Sequence, residues 1–274
     1  MKKVVVTGGA GFIGSHLLEE LARRDYSLLV IDDFSTGKQE NISSVLKKPN
    51  VTIIHGSIID LPLLQKSFKD VDYVFHLAAV ASVPRSIDEP QLCHDTNITG
   101  TLNVLIAARD NKVKKVINTS SCSVYGDAPG LPKKEDMVKN PVSPYAVSKL
   151  AGEYYCQVFQ NIYQLPTVSL RLFNIFGPRQ DPDSDYANAI PRFIKLFSPR
   201  RRLWPGSNTR RKGAGNGCGD LAFALWQGKG FANPIACAQK SRDRSMGTRC
   251  KHGPRRACRY VARPALQGKP KIRP

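Results

Sequence analysis

Apolar residues along the first two-thirds of the chain fall into short runs separated by stretches of helical spacing. Lys3–Thr7 is β-branched and ends in glycines, and residues 28–32, 51–55, 72–76, 115–119 and 168–171 are five further runs of strand length. Between them, residues 12–24 place Ile13, Leu17, Leu18 and Leu21 on one helical face. Residues 97–109 and 144–163 also read as helices, with Pro144 in a first turn where a missing N–H costs nothing. Strands alternating with helices predict an α/β fold with a doubly wound parallel sheet covered on both faces. Beyond residue 197 the periodicity fades, and only residues 220–226 read as a short apolar helix.

Composition divides the chain at the same place. Of 274 residues, 41% are hydrophobic, enough for a sizeable core. No run of eighteen apolar residues suggests a membrane-spanning helix, and the apolar start is too short for a signal peptide. Seven cysteines without tight, even spacing do not suggest a disulfide scaffold, so a cytoplasmic protein is expected, with no membrane partner. The net charge of +19 suggests nucleic acid until it is located. Residues 1–197 carry 22 Lys and Arg against 20 Asp and Glu, whereas residues 198–274 carry 19 against 2, with four of the seven cysteines and no glutamate. Two regions are therefore expected: a domain at 1–197 and a basic Arg/Cys-rich tail at 198–274.

Candidate chemistry lies in the first region. The opening strand runs into Gly8, Gly9, Gly11 and Gly14, and a helix follows. A glycine turn between strand and helix lets backbone N–H groups reach a pyrophosphate, and the helix N-terminus favours the anion. A tight structural turn is the plain alternative. Asp32, 18 residues after Gly14 at the end of the second strand, suits the hydroxyls of an adenosine ribose. Asp33 would repel a 2′-phosphate, so NAD is expected rather than NADP. Tyr145 and Lys149 stand four residues apart, on one face of a helix. A phenol titrates near pH 10, and a neighbouring ammonium lowers that value, which allows Tyr145 to act as a general base. Ser121, after the fifth strand, can share the same hydroxyl. By itself Tyr-x-x-x-Lys occurs often by chance.

Several motifs in register carry a resemblance. They are TGGAGFIG at 7–14, HLAA at 76–79, SVPRS at 82–86, NITGT at 97–101, SSCSVYG at 120–126, PYAVSK at 144–149 and LFNIFGPRQDP at 172–182. Over residues 1–197 the chain resembles the extended short-chain dehydrogenase/reductases, and among them the NAD-dependent nucleotide-sugar epimerases acting on UDP-glucose or UDP-N-acetylglucosamine. YANAIP at 186–191 resembles the N-acetyl branch. The resemblance implies a Rossmann-type fold, NAD as cofactor, a UDP-sugar substrate and a homodimer formed through helices near 97–109 and 144–163. It implies that Gly8, Gly11, Phe12, Ile13 and Gly14 hold the pyrophosphate. Asp32, Asp33, Ser35, Thr36, Gly37 and Lys38 would surround the adenosine ribose and its phosphate edge. Ser57 and Ile58 would flank the adenine, and Leu77, Ala78, Ala79 and Asn97 would line or support the cofactor. Ser121, Tyr145 and Lys149 would be catalytic, with Tyr145 and Lys149 also contacting the cofactor. Asn174, Asn188 and Ala189 would join Ser121 and Tyr145 at the substrate.

Two departures from the family pattern matter. Ser57 stands where the family usually has Asp, which removes a charge from the adenine pocket. Cys122 and Ser123 stand where related sugar dehydratases carry an Asp-Glu pair and glucuronate decarboxylases a Glu. Without a carboxylate there, reversible oxidation at C4 through a 4-keto sugar is the expected reaction. The alternatives are another extended enzyme of the group, a dehydratase or reductase, or a silent NAD-binding protein with a nucleic-acid-binding tail.

The tail departs from the family after residue 197, where a substrate lobe is expected. Three readings compete. One is a nucleic-acid-binding extension, which lacks a recognisable module. Another is a metal site from Cys218, Cys237, Cys250, His252 and Cys258, which lacks Cys-x-x-Cys spacing. The favoured one is the product of a reading-frame change, which predicts an atypical, poorly formed C-terminal lobe and impaired turnover. No metal and no nucleic-acid partner are expected on that reading.

Overall fold

The protein, seen in a computed structural model, is described at residues 1–182, at Pro191 and in the backbone of Ile235–Cys237. Its centre is a parallel sheet in the order β3-β2-β1-β4-β5-β6-β7. The strands are β1 (Lys3–Thr7), β2 (Ser27–Asp32), β3 (Val51–His55), β4 (Tyr73–His76), β5 (Lys115–Ser121), β6 (Thr167–Leu172) and β7 (Ile235–Cys237). The first six are the six strands expected from the sequence, within one or two residues at each end. The doubly wound parallel sheet is therefore the observed fold, and it is Rossmann-like.

Helices cover both faces because alternate strand residues point to opposite sides. Val5, Leu29, Ile31, Val74 and Val116 pack on one face with Phe68, Val104, Leu105 and Phe159. Val4, Val6, Leu28, Val30, Phe75 and Ile117 pack on the other with Leu17, Leu18, Leu21, Ile42 and Val45. The long helices are α1 (Phe12–Ala22), α6 (Gly100–Asp110) and α7 (Pro144–Tyr163). Helix α1 stops two residues before the expected end, and Asp25 beyond it takes a positive φ of 56°.

Four shorter helices went unread: α2 (Gln39–Leu46), α3 (Leu61–Ser67), α4 (Val83–Asp88) and α5 (Pro90–His94). Two of them carry legible start signals. Asp60 accepts from Leu63 N at 3.0 Å and Ser82 from Arg85 N at 3.2 Å, each ahead of a proline in the first turn. Between α5 and α6 the chain makes a π-helical turn, Asp95–Thr99, where the sequence suggested regular helix from residue 97.

Strand β7 was also not expected. It pairs with β6 in parallel, Ser169 opposite Ile235. The predicted helix at 220–226 and all the proposed tail chemistry, including the His252 and cysteine side chains, lie outside the described residues. Among the described residues no helix is long and apolar enough to cross a membrane, and no His/Cys/Asp/Glu group could hold a metal ion.

Candidate active site

The strand order reverses between β1 and β4, so the loops leaving these two strands part and open a crevice at their carboxyl ends. The cleft there has a volume of about 430 Å³. Its floor is the glycine turn. Gly8 takes φ +69°, and a Cβ on it would lie 2.6 Å from Ala78 N, so only glycine lets β1 leave the sheet this close to β4. A Cβ on Gly14 would lie 2.2 Å from the Gly8 carbonyl oxygen. Both of these glycines are demanded by packing.

Gly11 is different. Its Cβ would meet only Gly8 O, at 3.3 Å, and its backbone (φ −73°, ψ 176°) is open to any residue. Packing therefore does not require this glycine, which lines the cleft at the N-cap of α1. A bare backbone at a helix N-terminus suits an anion that must come close. Gly11→Ala should keep the fold to within about 1 kcal/mol and weaken dinucleotide binding by about tenfold. Calorimetric titration with NAD checks the second figure, and an unchanged affinity would remove the pyrophosphate from this turn.

One wall rises from the end of β2. Asp32 is buried and accepts from Ala10 N at 2.8 Å and from Phe34 N at 2.9 Å, which ties the glycine turn to the following loop. Burial pushes its carboxyl above the usual range against the pull of those two N–H groups. Asp33 holds Ser35 through its backbone N at 2.9 Å and its hydroxyl at 2.6 Å. Asp33, Ser35, Thr36, Gly37, Ser57 and Ile58 all line the cleft, as do Phe12, Ile13, Leu77, Ala78 and Ala79.

Two residues expected at the cofactor do not line it. Lys38 points outward to Asp181, 2.9 Å away, because a partly exposed carboxylate is within reach there. Asn97 is buried in the π-helical turn and clamps the loop after β4, receiving Val80 N at 2.8 Å and donating to Val80 O at 3.1 Å. It also donates to Ser148 on α7 at 3.0 Å, so it supports the wall from behind.

His76 completes that support. Thr101 donates its hydroxyl to Asn97 O at 2.6 Å, so it must accept from His76 Nε2 at 2.9 Å. The Nδ1 of His76 then accepts from Thr7, at 2.8 Å. This tautomer needs a neutral ring, and burial holds the imidazole down to about 3, with Lys149 adding to the effect.

The opposite wall carries the candidate reactive groups. Ser121, Tyr145 and Lys149 line one cleft, together with Asn174. Tyr145 is buried near the start of α7, and its backbone N is held by Ser86 at 3.1 Å. The Lys149 Nζ donates to Thr119 O at 3.0 Å and lies 5.9 Å from the centre of the Tyr145 ring. Burial lowers this ammonium to about 8, so it remains charged at neutral pH. Ser121 accepts from Ser123 N at 3.2 Å, which fixes its position ahead of the 3₁₀ turn Cys122–Tyr125. Asn188 and Ala189 lie outside the described residues. The cleft also includes Arg85, Phe173 and Gln180, whose only sign in the sequence is their place in the motifs at 82–86 and 172–182.

The model of the NAD dependent epimerase/dehydratase family matches residues 4–213. The chain belongs to that family. The match runs past residue 197, the boundary suggested by composition. A UDP-glucose 4-epimerase of Mycolicibacterium smegmatis is 38% identical over 224 residues, covering 81% of this chain and 69% of that protein. A UDP-N-acetyl-alpha-D-glucosaminuronate decarboxylase of Bacillus cytotoxicus is also 38% identical, over 71% of this chain and 60% of its own length. Among solved structures, a UDP-N-acetylglucosamine 4-epimerase from Methanobrevibacter ruminantium M1, in complex with UDP-N-acetylmuramic acid, aligns with a TM-score of 0.68 at 48% identity. That alignment covers 71% of this chain and 62% of the relative. The chain thus spans about three-fifths to two-thirds of the length of these relatives. NAD is the cofactor of the family, and the glycine turn with Asp32 fits it.

Proposed function

We propose that the protein is an NAD-dependent nucleotide-sugar 4-epimerase acting on a UDP-hexose or UDP-N-acetylhexosamine. The observation that carries this reading is the joint placement of Tyr145, Lys149 and Ser121 on the wall facing the glycine turn. Tyr145 takes the proton of the C4 hydroxyl, and Ser121 hydrogen-bonds the same oxygen. The Lys149 charge favours the phenolate. Bound NAD supplies hydride acceptance and return at the sugar carbon. Tyr145 and Ser121 hold the resulting 4-keto sugar by its oxygen, and Tyr145 gives the proton back after the sugar has turned its other face. Cys122 lines the cleft beside Ser121, and neither it nor Ser123 offers a carboxylate for elimination of water.

The substrate lobe would lie in the C-terminal region, where the composition changes after residue 197 and the family match ends at residue 213, so turnover is expected to be slow. The other reading frames of the coding DNA near codon 198 test that part: recovery of a full lobe supports the frame change, and an intact frame shared with relatives rejects it. A homodimer fits the apolar exposure along α7, where Val147, Tyr154, Val158 and Ile162 share one face.

Incubating the purified protein with UDP-glucose and UDP-N-acetylglucosamine tests the whole reading. The expected results are nicotinamide reduction at 340 nm, slow appearance of the 4-epimer and sedimentation as a dimer. A 4-keto-6-deoxy sugar or carbon dioxide as product would assign the chain to a different reaction, and a monomer would remove the dimer.

A further inference from the structure

Residues 177–181, the loop after β6, form a segment that the catalytic reading leaves without a task. It is stitched to one face of α1. A Cβ built on Gly177 would lie 3.4 Å from the Phe12 ring, so the loop passes close over the ring. His16 Nε2 lies 2.9 Å from Pro178 O, and Arg179 pairs with Glu19. Phe12, His16 and Glu19 are spaced four and three residues apart, as one helical face requires. At its far end the segment reaches the loop after β2, where Asp181 receives Lys38 Nζ at 2.9 Å. The residues just inside this pair, Gly37 and Gln180, both line the cleft. The Lys38–Asp181 bridge therefore stands on the cleft's outer rim and joins two of its walls.

The segment is not built for stability alone. Arg179 holds φ +68°, a conformation that disfavours a non-glycine residue. Arg179 Nη1 and Gln180 Oε1 are buried without a hydrogen-bond partner among the described residues. Gln180 Nε2 donates to Ile175 O at 3.4 Å, and its oxygen is an enclosed acceptor that a ligand donor reaches when this long bond gives and the amide turns toward the cleft. A buried acceptor in a cleft-lining side chain suits a hydroxyl or amine donor of a ligand.

We infer that residues 177–181 are a retaining strap for the dinucleotide, with Gln180 accepting from the ligand and the Lys38–Asp181 pair closing the outer end. The inference rests on the dinucleotide reading of the cleft. It assigns Lys38 a role through Asp181 and not through a phosphate, and the two roles differ in sign. A lysine that bound phosphate directly would be released for that task by loss of Asp181, and the ligand would leave more slowly. A latch lysine loses its partner, and the ligand leaves faster.

The experiment loads the full chain with NADH and follows loss of its fluorescence after a chase with excess NAD. Lys38→Ala and Asp181→Ala should each speed release, by up to about fivefold for an exposed pair. The double variant should be no faster than either single one, and the reversed pair, Lys38→Asp with Asp181→Lys, should restore slow release. Gln180→Leu should speed release by about fivefold. Wild-type or slower release from Asp181→Ala, or additive effects in the double variant, would overturn the strap alone. A wild-type chain that binds no NADH would overturn the dinucleotide reading and the strap with it.

Discussion

Tyr145→Phe is expected to lower 4-epimerisation by about 10²–10⁴-fold while the chain stays folded and still binds the dinucleotide. The change deletes one oxygen from a side chain that is 8% exposed and leaves the ring packing in place. The backbone bond from Tyr145 N to Ser86 is untouched. The proton transfer at the sugar hydroxyl is removed. Steady-state rates with a coupled assay, beside NAD titration of the same variant, measure both halves. A Phe variant at the wild-type rate would place the base elsewhere.

Lys149→Met supplies the sign of the electrostatic part. The ammonium titrates at about 8, so at neutral pH it carries the charge that favours the phenolate. Without it the phenol holds its proton to higher pH, and the acid limb of kcat/KM should move upward. A limb that stays in place would leave Lys149 with binding alone.

Arg171→Met carries the largest expected loss of stability, about 3–5 kcal/mol. Arg171 is fully buried, and its partner Glu153 is 5% exposed. The guanidinium donates from Nε to Glu153 Oε1 at 2.8 Å and from Nη2 to Oε2 at 2.7 Å. Its Nη1 donates to Tyr125 OH at 2.7 Å and to Glu135 O at 3.0 Å. Ser120 adds a bond to Glu153 Oε1 at 2.6 Å. Removing the arginine leaves a buried carboxylate with one hydroxyl donor, and desolvation of that charge dominates the cost. Arg171→Met combined with Glu153→Leu should recover most of the loss, because no charge is then stranded. Urea denaturation of the two variants gives the comparison. A single variant within 1 kcal/mol of wild type would show that water or another cation reaches Glu153. The cluster brackets Ser121, with Ser120 before it and Tyr125 after, so the same variants report how firmly that turn is held.

The strands were legible as short continuous apolar runs, and the three long helices by their period. The runs at 3–7, 28–32 and 115–119 bury both faces, and 144–163 repeats its apolar positions over five turns. Helices α2 to α5 span five to eight residues, too few for a period to emerge, and their capping signals at Asp60 and Ser82 were the only local sign. The π-helical turn was hidden for another reason. It is set where His76 bonds Thr101 and Thr101 bonds Asn97, and His76 is 25 residues from Thr101 in the chain.

The sequence by itself determined the alternation of strand and helix, the glycine turn with its acid at Asp32, and the Tyr145–Lys149 pair one helical turn apart. Each of these is a local pattern, fixed by spacing along a single element. Tertiary structure alone decided that Lys38 turns to Asp181, that Asn97 supports the wall from behind, and that Gly11 is a glycine packing does not need. It also brought Gln180 to the cleft and paired Arg171 with Glu153. These depend on which side chains meet across 17 to 162 residues of chain, and burial and charge settle such meetings only after the sheet has assembled.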